Sequence, residues 1–190
     1  MTRALVIAML LMPCVAQAQS VEIRDGEVAV ATTFPWRTDA SYVLRVADVP
    51  LWFHAQISPE AEGGGVSIGA RPTLAIVDDY RLIWASRVGP IAYGRDGASL
   101  GVEAVTELLN VFGAGEVRFA LIPHVDFAGV GGDQRGWRVR TTLALALGLV
   151  KNAFSVWLGG EAGYAFGADG PGAFRLAGTL TIGVRPEAFR

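Results

Sequence analysis

Residues 137–150 read WRVRTTLALALGLV, and their period is two. Trp137, Val139, Thr141, Leu143, Leu145, Leu147 and Leu149 fall on one side; Arg138, Arg140, Thr142, Ala144, Ala146 and Gly148 fall on the other. A helix, which repeats about every 3.6 residues, would mix the two sets, whereas a strand separates them. Residues 154–166 repeat the pattern, with Phe154, Val156, Leu158, Tyr164 and Phe166 against Ser155, Trp157, Glu161 and Gly163. So do residues 174–185, with Phe174, Leu176, Leu180, Ile182 and Val184 against Arg175, Thr179, Thr181 and Arg185. Three successive segments carry every charge on one face. They are strands.

The alternation extends toward the N-terminus. In 117–127, Val117, Phe119, Leu121, Val125 and Phe127 oppose Arg118, Ala120, His124 and Asp126. In 100–108, Leu100, Val102 and Leu108 oppose Glu103 and Glu107, and in 66–76 Val66, Ile68, Leu74 and Ile76 oppose Ser67 and Arg71. Segment 81–93 sets Leu82 and Trp84 against Arg81, then loses its phase at Gly89-Pro90, where a bulge is expected. Segment 42–57 changes phase near Asp48-Pro50, as one bulged strand or two short ones.

Connections alternate between long (58–64, 94–98, 129–136, 168–172) and tight (78–80, 112–115, 151–152). Short turns on one rim and longer loops on the other describe an all-β, closed, up-and-down antiparallel barrel that crosses a membrane. Eight strands are expected, or ten if 42–57 divides and residues 19–41 join the wall. Otherwise 19–41 forms a small rim hairpin ahead of a barrel domain at 42–190.

Three features place the apolar face outside. The opposite face is built of Gly, Ala and Thr with scattered Arg and Glu, which suits a narrow lumen. Of the 16 basic residues only Lys151 is a lysine, and the planar arginine fork suits enclosed pairing with carboxylates. Phe127, Trp137, Phe166 and Phe174 lie at strand ends beside the longer loops, and Phe154 and Tyr80 lie beside tight turns, as two aromatic girdles would. The lumen would then hold an ion-pair network of Arg71, Glu103, Glu107, Arg118, His124, Asp126, Arg138, Arg140, Glu161 and Arg175, with Trp157 among them.

The chain of 190 residues is 52% hydrophobic and 18% charged, yet no run of about 20 apolar residues exists beyond the N-terminus. Disorder, a coiled coil and a polytopic helical membrane protein are thereby excluded. A formal charge of −2 and no basic run leave no footprint for nucleic acid. Residues 1–18 read as a secretory signal, with Arg3, an apolar stretch from Ala4 to Val15, and cleavage after Ala18. Cys14, the one cysteine, falls within it, so the exported chain has neither disulfide nor thiolate chemistry.

From about Ser41 to Phe189 the architecture resembles the small eight-stranded outer-membrane proteins of Gram-negative bacteria, the OmpA-barrel and OmpX-like class. That resemblance implies a bacterial outer-membrane address, with outer-membrane lipid and the barrel-insertion machinery as partners. Such chains usually end on an aromatic residue; here Phe189 is penultimate and Pro186 lies just before it.

Catalytic signals are sparse. His124 and Asp126, with Glu103 and Glu107 on the preceding strand, could form an acid/base cluster, but no nucleophile has a diagnostic spacing and packing with Arg138 and Arg140 accounts for them. Ser58 or Ser41 with His54 is the only grouping comparable with a lipid-modifying hydrolase. Two histidines without cysteine make a poor metal site, and neither a metal nor another cofactor is expected. The glycine clusters 63–65 and 131–132 lack a phosphate-loop lysine and read as loop tips. The expectation is a non-enzymatic outer-membrane barrel with a structural or surface-interaction role and a plugged lumen. The alternatives are a lipid-modifying enzyme in that membrane and a periplasmic soluble barrel holding a small apolar ligand.

Overall fold

Alternating chains pair edge to edge, and the wall they make here has eleven strands: β1 (Val28–Phe34), β2 (Arg37–Val46), β3 (Val49–Ser58), β4 (Gly63–Ala70), β5 (Thr73–Val77), β6 (Tyr80–Tyr93), β7 (Ser99–Phe112), β8 (Val117–Val130), β9 (Gly136–Val150), β10 (Phe154–Gly167) and β11 (Gly170–Val184). A computed structural model describes residues 22–34, 37–58, 63–93, 99–113, 115–131, 136–167 and 170–189. Residues 1–18, where a leader is expected, the Ser58 side chain and residues 59–62, 94–98, 132–135 and 168–169 lie outside them.

Neighbouring strands are antiparallel, and all but the β1–β11 and β4–β6 pairs are consecutive in the chain. The ring closes twice over, through β1 with β11 (Val28↔Val184 to Phe34↔Gly178) and through β4 with β6 (Gly64↔Ala92 to Ala70↔Ser86). Ten strands form the barrel. β5 continues β4 beyond Arg71-Pro72, pairs only with β6, and stands outside the ring.

Of the two strand counts the sequence allowed, eight or ten, the structure has ten, for two physical reasons. Segment 42–57 divides at a two-residue turn, where Ala47 and Asp48 take φ of 46° and 66° and Val46 faces Val49. Positive φ at both central positions matches the twist of a tight hairpin. Residues 28–34 then form β1 and close the ring, so the wall begins at Val28 rather than at residue 42. The bulge expected at Gly89-Pro90 is absent: β6 holds one register against β7 from Tyr80↔Phe112 to Tyr93↔Ser99. The phase blurs in the sequence because Ile83 and Ile91 are apolar yet buried on the inner face. Pro90 instead interrupts the ladder to β4, which skips from Gly65↔Ile91 to Ile68↔Val88 without a shift.

Carried once around the ring, the registers advance by about 12 residues, which for ten strands sets a tilt of roughly 40°. Both ends of the wall, Val28 and Val184, lie at the rim of the tight turns, as an even strand number requires.

The outer face is apolar and the charge is turned inward. Among the described residues no outward position of the ten strands carries Asp, Glu, Lys or Arg, and Leu145, Leu147, Leu158, Ile182 and Leu176 are exposed there. Buried charge is inside, including Arg37, Asp39, Glu103, Asp126 and Arg140. An apolar interior cluster sits toward the tight-turn end, built on Trp52, Leu109, Ile122 and Trp157 with Ala120, Ala144 and Ala146.

Trp157 fits because its cross-strand partner on β9 is Gly148. A methyl group at Gly148 would lie 2.4 Å from two carbons of the indole. Gly148→Ala should therefore push Trp157 off its rotamer and cost about 1–3 kcal/mol, read as a lower urea midpoint in unfolding from detergent micelles. Unchanged stability would place Trp157 elsewhere.

Candidate functional site

The inner face is the only part of the described wall where charged and nucleophilic side chains converge, and it has two tiers separated by the apolar cluster. Parity along each strand sets this arrangement, since residues two apart share a face.

The upper tier, toward the loop rim, comprises three groups. On β8 and β9, Asp126 is wholly buried and pairs with Arg140, whose Nε donates at 2.6 Å. Arg138 Nη2 lies 3.8 Å from the same carboxylate, and His124 Nε2 lies 3.9 Å from it. On β6 and β7, Arg87 Nη1 donates to Glu103 Oε2 at 3.0 Å and to Ser67 Oγ at 2.9 Å. On β2 and β3, Arg37 Nε donates to Asp39 Oδ1 at 2.7 Å, and Arg37 also bonds Gln56. Trp52 lies beneath, with the guanidinium carbons of Arg71 and Arg87 at 5.2 and 5.3 Å from its ring. Such stacking suits arginines withdrawn from water.

The lower tier fills the tight-turn mouth. Glu22, Arg24 and Glu27 precede β1 and fold into the opening. Arg81 Nη1 pairs with Glu22 Oε1 at 2.5 Å, and Arg24 Nε pairs with Glu27 Oε2 at 3.0 Å. Ser155 also bonds Glu27.

All ten residues expected in the lumen lie on the inner face, but they do not form one network. Asp126, Arg138, Arg140 and His124 come together, and Glu107 lies across from His124 in the β7–β8 ladder. Glu103 pairs with Arg87, a residue the sequence did not single out. Arg118 belongs to the other end, where its Nε is 3.9 Å from Glu22. Arg71 is buried against Trp52 and Glu161 is buried beside β9, while Arg175 makes no ion pair among the described residues. Arg37, Asp39, Arg87, Glu22 and Glu27 were missed. Parity could have found Arg87, which shares its face with Arg81, and also Asp39, two residues from Ser41. Nothing local marks Glu22, since only the closed ring brings residue 22 to Arg81.

The aromatics Phe127, Trp137, Phe166 and Phe174 are exposed on the outer face at the loop-end of β8 to β11, and Phe154 is exposed at the opposite end of β10. Tyr80, Phe112 and Phe119 extend the tight-turn group, with centroids 4.9 and 6.4 Å apart in sequence. Trp84 also faces outward, and its indole N–H donates to Thr106 Oγ1 at 2.9 Å within the wall.

Ser41 and His54 face each other across β2 and β3, with Ser41 Oγ 2.9 Å from His54 Nδ1. His54 Nε2 lies 3.2 Å from Asp39 Oδ1, but that contact lacks hydrogen-bond alignment, and Arg37 already occupies the carboxylate oxygen. A hydroxyl, an imidazole and a carboxylate thus stand in the order of a catalytic relay. Nucleophilic work would also need an aligned carboxylate and room for an acyl group, and all three residues are buried. A depression of about 760 Å³ lies instead on the outer face, where Trp84, Pro123, Leu143, Tyr164 and Phe174 line it. Among the described residues no group of three or more His, Cys, Asp or Glu is placed to hold a metal ion.

Asp126 is the carboxylate on which the upper tier is most dependent. Asp126→Asn should leave Arg140 and Arg138 uncompensated and cost about 3–5 kcal/mol, measured by urea unfolding in micelles. Asp126→Asn combined with Arg140→Met should recover part of that loss. If the double variant is no better than the single one, the pair is not coupled as drawn.

Compared with protein-family models, with curated proteins and with solved structures, the chain matches none. The fold rests on its own registers and burial, which make it a closed antiparallel barrel of ten strands with one strand outside the ring.

Proposed function

We propose that the protein is an integral outer-membrane barrel with a structural or surface-interaction role, its lumen closed to solutes, and that it performs no catalysis. The observation that carries this is the charge-free outer face. A ring of ten strands with exposed Val, Leu, Ile and Phe at outward positions, and buried charge within, has the polarity of a lipid-facing wall. Closure supports the same reading, because a wall in hydrocarbon must satisfy its backbone internally.

Dimensions agree. Phe154 and Tyr164 lie ten residues apart on β10, which is about 33 Å along a strand. At a tilt of roughly 40° that becomes about 25 Å along the axis, the height of an apolar band between aromatic girdles. In small outer-membrane barrels of the OmpA-barrel and OmpX-like kind the interior is likewise filled by side chains. Here the Trp52, Leu109, Ile122 and Trp157 layer closes the lumen, and this supports a plug over a pore.

The test begins with extraction: the protein should stay in the membrane fraction through alkali and urea washes. Leu145→Arg, at a lipid-facing position midway along β9, should lower insertion stability by about 2–4 kcal/mol in refolding titrations with vesicles. A wild-type chain that folds in water without lipid or detergent would refute the assignment. In planar bilayers the purified protein should show no stable steps of porin size.

One observation favours a second reading, a lipid-modifying hydrolase: the Ser41–His54 contact beside Asp39. A fluorophosphonate probe should leave Ser41 unlabelled under the leading proposal. Labelling abolished by His54→Ala would establish the hydrolase instead.

A further inference from the structure

The tight-turn mouth holds a half-enclosed polar pocket of about 310 Å³ that none of the roles above uses. Its lining brings Arg24, Arg81, Arg118 and Lys151 together with only Glu22 and Glu116 as carboxylates. Glu22 is shared, at 2.5 Å from Arg81 and 3.9 Å from Arg118. Lys151 Nζ is 3.4 Å from Glu116, in an exposed pair. Arg24 is paired with Glu27 and donates Nη1 to the Lys151 carbonyl at 2.5 Å, while its Nη2 is buried with no hydrogen-bond partner. Arg118 donates Nη1 to the Gly113 carbonyl at 2.8 Å and has no carboxylate closer than that of Glu22.

Four cations therefore meet three carboxylates once Glu27 is counted, and guanidinium donors outnumber the acceptors offered to them. The surplus charge excludes a cation, and the polar lining excludes an apolar guest. A planar guanidinium fork matches the oxygens of an anion, and charge-assisted bonds are strongest where water is partly excluded. One surplus positive charge suits a phosphodiester, and the volume leaves room for substituents on the phosphate. We propose that this pocket binds a phosphate group, held by Arg118 with the Asn152 amide at its edge and with Arg24 and Lys151 adding positive charge to the lining. The pocket lies at the tight-turn rim, whose outer side carries Tyr80, Phe112 and Phe119, so the group could be supplied by a lipid headgroup or by a free phosphate. Its chemistry does not depend on the wall being in lipid, and the phosphate titration gives the same answer in buffer or in neutral micelles.

The experiment is calorimetric titration of the full chain, in neutral detergent free of phosphate, with inorganic phosphate and separately with monomeric dihexanoyl phosphatidylglycerol. Saturable binding that weakens with salt is expected for at least one probe. Arg118→Gln should weaken it by about tenfold. Because Arg118→Gln also loosens Glu22, Asn152→Trp serves as a second variant; it fills the mouth from an exposed turn without touching an ion pair, and it should abolish binding. Binding of both probes assigns a site for free phosphate, and binding of the lipid alone assigns a headgroup site. No binding of either probe, or binding indifferent to both variants, overturns the proposal.

Discussion

The wall pairs its backbone N–H and C=O groups strand to strand, and closing the ring leaves its first and last strands without a free edge. Closure is carried by short ladders at two places, β1 with β11 over Val28–Phe34 and β4 with β6 over parts of Gly64–Ala70. The ladders from β6 through β11 are longer and nearly unbroken. Two prolines test the constraint. Pro90 and Pro123 each lack a donor, and each sits where one ladder is interrupted while the opposite ladder runs on: β4–β6 skips at Pro90, and β7–β8 skips from Glu107↔His124 to Asn110↔Leu121 beside Pro123. The register is kept across both gaps, because the neighbouring pairs and the buried inner face leave no alternative phase.

The interior follows from closure at this circumference. Ten tilted strands enclose a space that side chains can fill, and the sequence fills it by height. Alanines and glycines on β8 to β10 give way to Trp52 and Trp157 in the lower half, while Arg–carboxylate groups occupy the upper half. Burying these charges is costly unless each is paired and hydrogen-bonded. Asp126 with Arg140, Glu103 with Arg87 and Asp39 with Arg37 meet that condition across or within strands. The apolar layer lies between the two tiers, and Arg71, stacked on Trp52, interacts with carboxylates of both, Glu107 in the upper and Glu22 and Glu27 in the lower.

Proximity alone does not make chemistry, and Ser41 with His54 illustrates this. Parity and register force the two side chains together, because they face each other across β2 and β3. The same register brings Arg37 onto Asp39, so the carboxylate that would orient the imidazole is held by a guanidinium. The arrangement gives Ser41 Oγ and His54 Nδ1 each other as partners and is well explained as lumen packing.

Alternation in 117–127, 137–150, 154–166 and 174–185 was enough to identify strands, to assign Leu145 and Trp157 to opposite faces, and to place Arg140 and Asp126 inside. That much is local, because side-chain direction in a strand depends only on parity. The alternating loop lengths likewise made a closed barrel legible. Strand number was not, since it depended on whether Ala47-Asp48 turned back on itself, and a positive φ at an alanine has no sequence signature. Nor could any local pattern show that Arg118 pairs with Glu22, that Glu103 takes Arg87, or that four cations meet in one mouth. The Glu103 pair is set by the β6–β7 register, whereas the Glu22 pairs and the shared mouth are set by the stagger accumulated around the ring, a long-range quantity that exists only once β1 has met β11.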